Sequence, residues 1–188
     1  MAPSRQAGRA AVHGGGSLIF LTIGTHEPFD RLVRAVDEWC ASHSTGAEVF
    51  GQITDRRPGA WHPQHFDWVA RLSPQEYEKR FTAARLIVSH AGMGSILTAL
   101  RYAKPIVIMP RRGHLHETRN DHQFTTMRML RQRPGIHAAE DETHLGPVLD
   151  RVLAEGVTPP AAPIPALADR GFTDALRAFL TGQTVGRK

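Results

Sequence analysis

The run His90-Ala-Gly-Met-Gly-Ser95 places an imidazole, two glycines and a hydroxyl directly after the apolar stretch Leu86-Ile-Val-Ser89. Glycines let a backbone approach a ligand closely, and the amides that open a helix point outward without partners. Such donors, together with the positive end of the helix dipole, attract phosphate. Gly92, Met93, Gly94 and Ser95 are therefore candidates to hold a phosphate through their backbone. Ser95 suits a helix cap or a phosphate contact, and His90 suits a further donor to a diphosphate. An ordinary structural glycine turn fits the same spacing. A dinucleotide fingerprint does not, because Leu97 stands where the third glycine belongs and the loop does not follow the first strand.

Two further loops carry polar groups. Gly24-Thr25-His26 closes the apolar run Leu18 to Ile23, so its amides and the Thr25 hydroxyl face the same strand-end crevice, where the His26 ring is placed to meet substrate. A plain strand-to-helix turn is the alternative. Glu117, Asn120, Asp121, His122 and Gln123 crowd five polar side chains into seven residues, as recognition of a polyhydroxyl ligand requires. A solvated helix start fits equally. His114-Leu-His116 has no third ligand at a recognisable spacing and HExxH is absent, so no metal site is expected and these read as loop histidines. The single cysteine, Cys40, lies on the apolar stripe of a helix and reads as buried filler. No Ser-His-Asp or Cys-His order is defensible.

The elements that must position these loops follow from periodicity. Strands are expected over Leu18–Ile23, Glu48–Ile53, Phe66–Ala70, Leu86–Ser89, Ile106–Met109 and Gly135–Ala138, the last as an edge. Helices are expected with Pro28 in a first turn, from Ser73 as N-cap through Ala83, from Ile96 to before Lys104, through Phe124 to Leu130, and across Leu145 to Leu153. Strands alternating with helices imply an α/β fold: a single Rossmann-like domain with a parallel sheet covered on both faces.

Composition narrows the partner. The 188 residues carry a net charge of +5, but between Arg101 and Arg133 eight bases meet two acids, a local +6. The rest holds 15 bases and 16 acids. An anionic partner belongs near that segment. Nucleic acid fits poorly, since Phe124 is its only phenyl ring and Tyr102 its only other aromatic of the stacking kind; a small diphosphate or an anionic membrane surface fits better. The longest early apolar run falls far short of the roughly 20 residues that span a bilayer.

Taken in order, Ile19-Phe-Leu-Thr-Ile-Gly-Thr25, Phe29-Asp30-Arg31-Leu32, Leu86 to Ser95, Ala99-Leu100, Lys104-Pro105-Ile106-Val107 and Asp121-His122-Gln123 resemble the C-terminal domain of family-28 glycosyltransferases. The resemblance spans about Leu18 to Leu153. It is particularly to the small separate subunits of split N-acetylglucosaminyltransferases that act on dolichol-linked or exopolysaccharide acceptors. It implies the C-terminal half of a GT-B fold that holds a nucleotide-sugar, usually UDP-linked, without metal or other cofactor. His90 and the Gly92 to Ser95 backbone would hold the diphosphate, with Gly24-Thr25 beneath it. Asp121, His122 and Gln123 would face the donor sugar. The family's acidic ribose-binding position holds Thr98 here, with Glu117 a nearby substitute. The implied reaction inverts the anomeric centre, with a general base activating the acceptor hydroxyl and His26 the candidate catalytic residue.

A chain this short lacks room for two full α/β domains, so the other cleft wall is expected on a membrane-anchored partner subunit that binds a lipid-linked saccharide. On this reading residues 1–17 form a disordered basic tail, 18–156 the nucleotide-sugar-binding domain, and 157–188 a Pro-rich linker and helix for partner docking. The location would be cytoplasmic, peripheral at the inner face of the plasma membrane. The alternative is a non-catalytic nucleotide-sugar-binding subunit that activates a partner transferase.

Overall fold

The computed structural model describes residues 18–25, 27–43, 48–54, 61–157, 159–160 and 163–164. Among these lie six strands: β1 (Ile19–Thr22), β2 (Val49–Gln52), β3 (Asp67–Val69), β4 (Leu86–His90), β5 (Ile106–Met109) and β6 (Ile136–Ala138). Their order in the sheet is β3-β2-β1-β4-β5-β6, with every pairing parallel. All residues of β1 and β5 are buried. A strand covered on both faces reads as an unbroken apolar run, which is why these segments stand out in the sequence.

Side chains alternate between the two faces. Leu21, Val88 and Val107 pack with Leu32, Val33 and Val36 of α1 (Asp30–Ser42) and with Leu145, Leu149 and Val152 of α5 (Glu142–Ala154). Phe20, Ile87, Ile106 and Ile108 pack on the other side. Their partners are Phe81 of α2 (Pro74–Ala83), Ile96 and Leu100 of α3 (Met93–Arg101) and Met127 of α4 (His122–Leu130). Cys40 lies against the first of these cores, where burial above all pushes its thiol up to about 12.

Two helices begin elsewhere than the spacing predicts. Helix α1 starts at Asp30, with Phe29 at the N-cap, so Pro28 precedes it. The Pro28 carbonyl is taken by Arg111 Nη1 at 2.7 Å instead. Helix α3 starts at Met93 rather than Ile96, with Gly92 at the N-cap, so Ser95 is not the cap. Glycine weakens helix interiors, but Gly94 sits in a first turn whose amides precede the hydrogen-bonded ladder.

Helix α5 closes at Ala154, two residues before the end expected for the domain. Beyond it Ile164 donates its amide to Leu100 O at 3.1 Å, which returns the linker to the sheet's second face. The expected basic tail over 1–17 and most of the 157–188 segment expected to dock a partner lie outside the described residues. No described helix is long and apolar enough to cross a membrane.

Candidate functional site

Strand order reverses between β1 and β4, and their following helices, α1 and α3, leave on opposite faces. A crevice must open there, at the carboxyl ends of the strands. The strand ends are fastened together by Ser89, whose buried hydroxyl donates to Thr22 O at 2.8 Å. One residue later β4 ends in His90, whose ring rests between two glycines. A Cβ on Gly92 would fall 2.0 Å from His90 Cε1, and one on Gly24 would fall 3.4 Å from Nε2. Gly24 also has φ +79°, in the left-handed region that other residues avoid. Both glycines thus serve the ring, whereas a Cβ on Gly94 would meet nothing within 4 Å.

His90 is neutral at physiological pH. Desolvation foremost, and then the nearby Arg111 charge, push its pKa down to about 4 against an opposing hydrogen bond with Gln123. Its Nδ1 is buried without a hydrogen-bond partner among the described residues.

The opposite wall is the β5–α4 loop, held by a network of long-range bonds. The Glu117 carboxylate accepts from Arg31 Nε at 2.9 Å and Nη2 at 2.8 Å, and from the Arg112 amide at 2.8 Å. Arg31 also reaches Glu142 on α5 at 2.8 Å and Pro110 O at 2.9 Å. Burial alone would lower the Arg31 pKa, but its bonds to Glu117 and Glu142 outweigh that and raise it. Gln123 Oε1 accepts from the Arg111 amide at 3.2 Å. Asp121 Oδ1 accepts from Gly113 N at 2.8 Å, which closes the single 3-10 turn over Gly113–Leu115.

Between these walls lies an open cleft of about 640 Å³. Of the candidate residues it gathers Gly24, Thr25, His90, Glu117, Asn120, His122 and Gln123. Gly92, Met93, Gly94 and Ser95 follow His90 at the start of α3 and do not line the cleft. Within α3 the Thr98 hydroxyl donates to Gly94 O at 2.7 Å. Neither Thr98 nor Asp121 lines the cleft. Glu117 does, but its carboxylate is engaged by Arg31, so it does not stand free for a ribose as the sequence reading had it. His26 lies outside the described residues. The cleft adds Ile23, Glu27, Arg111, Thr118 and Arg119, which the motifs do not single out, and His116, which the sequence reads as a loop histidine. The +6 segment was the only signal for the two arginines.

A second cavity of about 380 Å³ lies across Glu117, where Glu27, Asp30, Glu38 and Glu142 surround Arg31 and Arg34. That charge pattern disfavours a diphosphate. Among the described residues no three His, Cys, Asp or Glu side chains gather as a metal cage.

The model of the glycosyltransferase family 28 C-terminal domain matches residues 18–133. The UDP-N-acetylglucosamine transferase subunit ALG13 of Eremothecium gossypii is 35% identical over 98 residues, which cover 51% of this chain and 44% of that protein. The chain therefore matches less than half the length of that curated relative. Among solved structures, the NMR solution structure of ALG13 has a TM-score of 0.52 at 20% identity, over 85% of this chain and 94% of that one. MurG of Acinetobacter baumannii has a TM-score of 0.56 at 14% identity, over 76% and 42% respectively. Os79 of O. sativa, solved in complex with UDP, has a TM-score of 0.54 at 16% identity, over 73% and 32%. At these identities the structural likeness is one of fold: a Rossmann-like domain corresponding to the C-terminal half of a GT-B architecture.

Proposed function

The chain belongs to the family of glycosyltransferase family 28 C-terminal domains, and on that premise we propose that it is the donor-binding, catalytic subunit of a two-component, metal-independent, inverting glycosyltransferase. It takes a hexosyl group from a UDP-sugar and delivers it to a lipid-linked saccharide in surface polysaccharide assembly. The acceptor is bound by a membrane-anchored partner, which also holds this chain at the inner face of the plasma membrane.

The observation that carries this reading is the His90 ring packed between Gly24 and Gly92 at the strand-order reversal. Immediately beyond it, the first α3 amides precede the ladder, whose first bond runs from Ile96 N to Gly92 O. The neutral imidazole borders the cleft and the N-terminus of α3 begins three residues after it. Preorganised donors of these kinds stabilise, without reorganisation, the charge that a leaving diphosphate develops. Asn120, His122 and Gln123 are the amide and imidazole groups on the facing wall, suited to sugar hydroxyls. The reading of the donor as UDP-linked is supported by the relative named as a UDP-N-acetylglucosamine transferase subunit.

The test is turnover with radiolabelled UDP-sugars, using this chain alone, a membrane-anchored candidate partner alone, and the two co-expressed. Transfer by the pair and none by the chain alone is expected. Transfer by the chain alone would overturn the two-component claim. Transfer by the partner alone that this chain only stimulates would favour a non-catalytic nucleotide-sugar-binding subunit that activates its partner.

A further inference from the structure

Arg111 is a buried cation, only 5% exposed, at the base of the cleft. Its Nη1 donates to Pro28 O at 2.7 Å and to Glu117 O at 3.2 Å. Its Nη2 donates to Ile23 O at 2.9 Å and Glu27 O at 2.7 Å, and its guanidinium carbon lies 4.6 Å from the centre of the Phe29 ring. One planar fork thus serves four carbonyls on two loops that are more than 80 residues apart in sequence. Arginine can do this because its donors are rigidly splayed; lysine presents one compact ammonium.

These bonds engage both terminal nitrogens of the guanidinium. Burial pushes its pKa down to about 10, outweighing Glu117, Glu27 and Asp30, which favour its charge from a distance, while Arg31 opposes that charge. No described salt bridge reaches Arg111, and the Glu117 carboxylate is spent on Arg31 and the Arg112 amide. A buried charge that no carboxylate contacts is costly. Its position supplies the reason to keep it, since the cleft it lines is where an anion would sit. Three of the four carbonyls, those of Ile23, Glu27 and Pro28, bracket the loop that holds Gly24 and Thr25.

We propose that Arg111 is the positioning residue of this cleft: it fastens both strand-end loops by their carbonyls and holds beside His90 a positive charge that no carboxylate contacts and that a bound diphosphate completes. The proposal rests on the donor-binding reading above. Its consequence reaches His90. Arg111 adds to burial in keeping that ring unprotonated, while Gln123 acts the other way. The other charged or titratable groups lining the cleft are Glu27, His116, Glu117, Arg119 and His122. A diphosphate that cancels the Arg111 field makes protonation of His90 easier, so donor binding draws a proton onto the ring.

The experiment follows the His90 ring protons by NMR through a pH titration of the wild-type chain, Arg111→Lys and Arg111→Met, and measures UDP-sugar affinity for each. His90 should titrate near 4 in the wild type, stay low in Arg111→Lys, and rise by roughly half a unit or more in Arg111→Met. Affinity should fall about tenfold or more in both variants, because neither can serve four carbonyls. An unmoved His90 titration in Arg111→Met, or wild-type affinity in Arg111→Lys, would overturn the role of Arg111. Should Arg111→Met not fold, Arg111→Lys decides alone: weakened donor binding with His90 still low supports the proposal, and unchanged binding sinks it. The titration needs no ligand. A wild-type chain that binds no UDP-sugar therefore overturns the donor reading separately.

Discussion

His90 gives the cleft its character, and its neighbours explain two glycines that motif reading assigned to the ligand. Gly92 has φ −86°, which any residue adopts, so its need for glycine comes from the ring above it. Gly92→Ala should displace that ring and weaken UDP binding by about tenfold or more in calorimetry, while a thermal melt stays within roughly 1 kcal/mol of wild type, since alanine restricts the unfolded chain. The His90 pKa also makes a stability prediction. Its folded value of about 4 lies below the roughly 6.5 of an unfolded histidine. Between those values the unfolded chain binds a proton that the folded chain does not. Stability is therefore fully present above about 6.5 and declines as pH falls toward 4. Melts at pH 7.5 and 5 should show a smaller drop for His90→Asn than for wild type. A residual slope will remain, because burial likewise lowers the pKa of His137.

At the scale of elements, the functional loops are held by side chains from distant parts of the chain. Arg31 on α1 joins the β5–α4 loop through Glu117 and α5 through Glu142, and the Arg31 and Glu117 side chains are each 12% exposed. Arg31→Met strands a largely buried carboxylate, and urea denaturation should register a loss of about 2–4 kcal/mol. Arg31→Lys should recover only part of it, because one ammonium cannot match the two-pronged contact. This network explains what was and was not legible in the sequence. Strands β1, β4 and β5 announce themselves as apolar runs, and α2 does so through Ser73, whose Oγ accepts from the Glu76 amide at 3.2 Å. The start of α3 was misplaced because glycine in a first turn carries little helical penalty. The roles of Arg111 and Arg31 were invisible, since a guanidinium bonded to remote carbonyls leaves no local pattern. Charge counting found the region but not the division of labour. Arg119 lines the cleft, Lys104 Nζ holds Ala84 O at 2.9 Å, and Arg112 reaches Glu140 O at 3.1 Å. Much of the basic excess is thus fastening the fold.

At the scale of the whole molecule, the sheet order and the two cores yield one wall of a cleft whose loops all sit at the strand ends. On the proposed function this wall holds the diphosphate of a nucleotide-sugar at His90 and its sugar at the facing amide of Gln123. Isothermal titration calorimetry of the full chain with UDP and with a UDP-sugar, beside His90→Ala and Gln123→Ala, tests this most directly and separates the two contacts. A single wild-type site is expected. His90→Ala should weaken UDP and UDP-sugar alike by about tenfold or more, through the lost bond to a charged group, and Gln123→Ala should weaken the UDP-sugar by about tenfold. Affinity unchanged in both variants, or no UDP binding by the wild-type chain, would contradict this reading of the cleft.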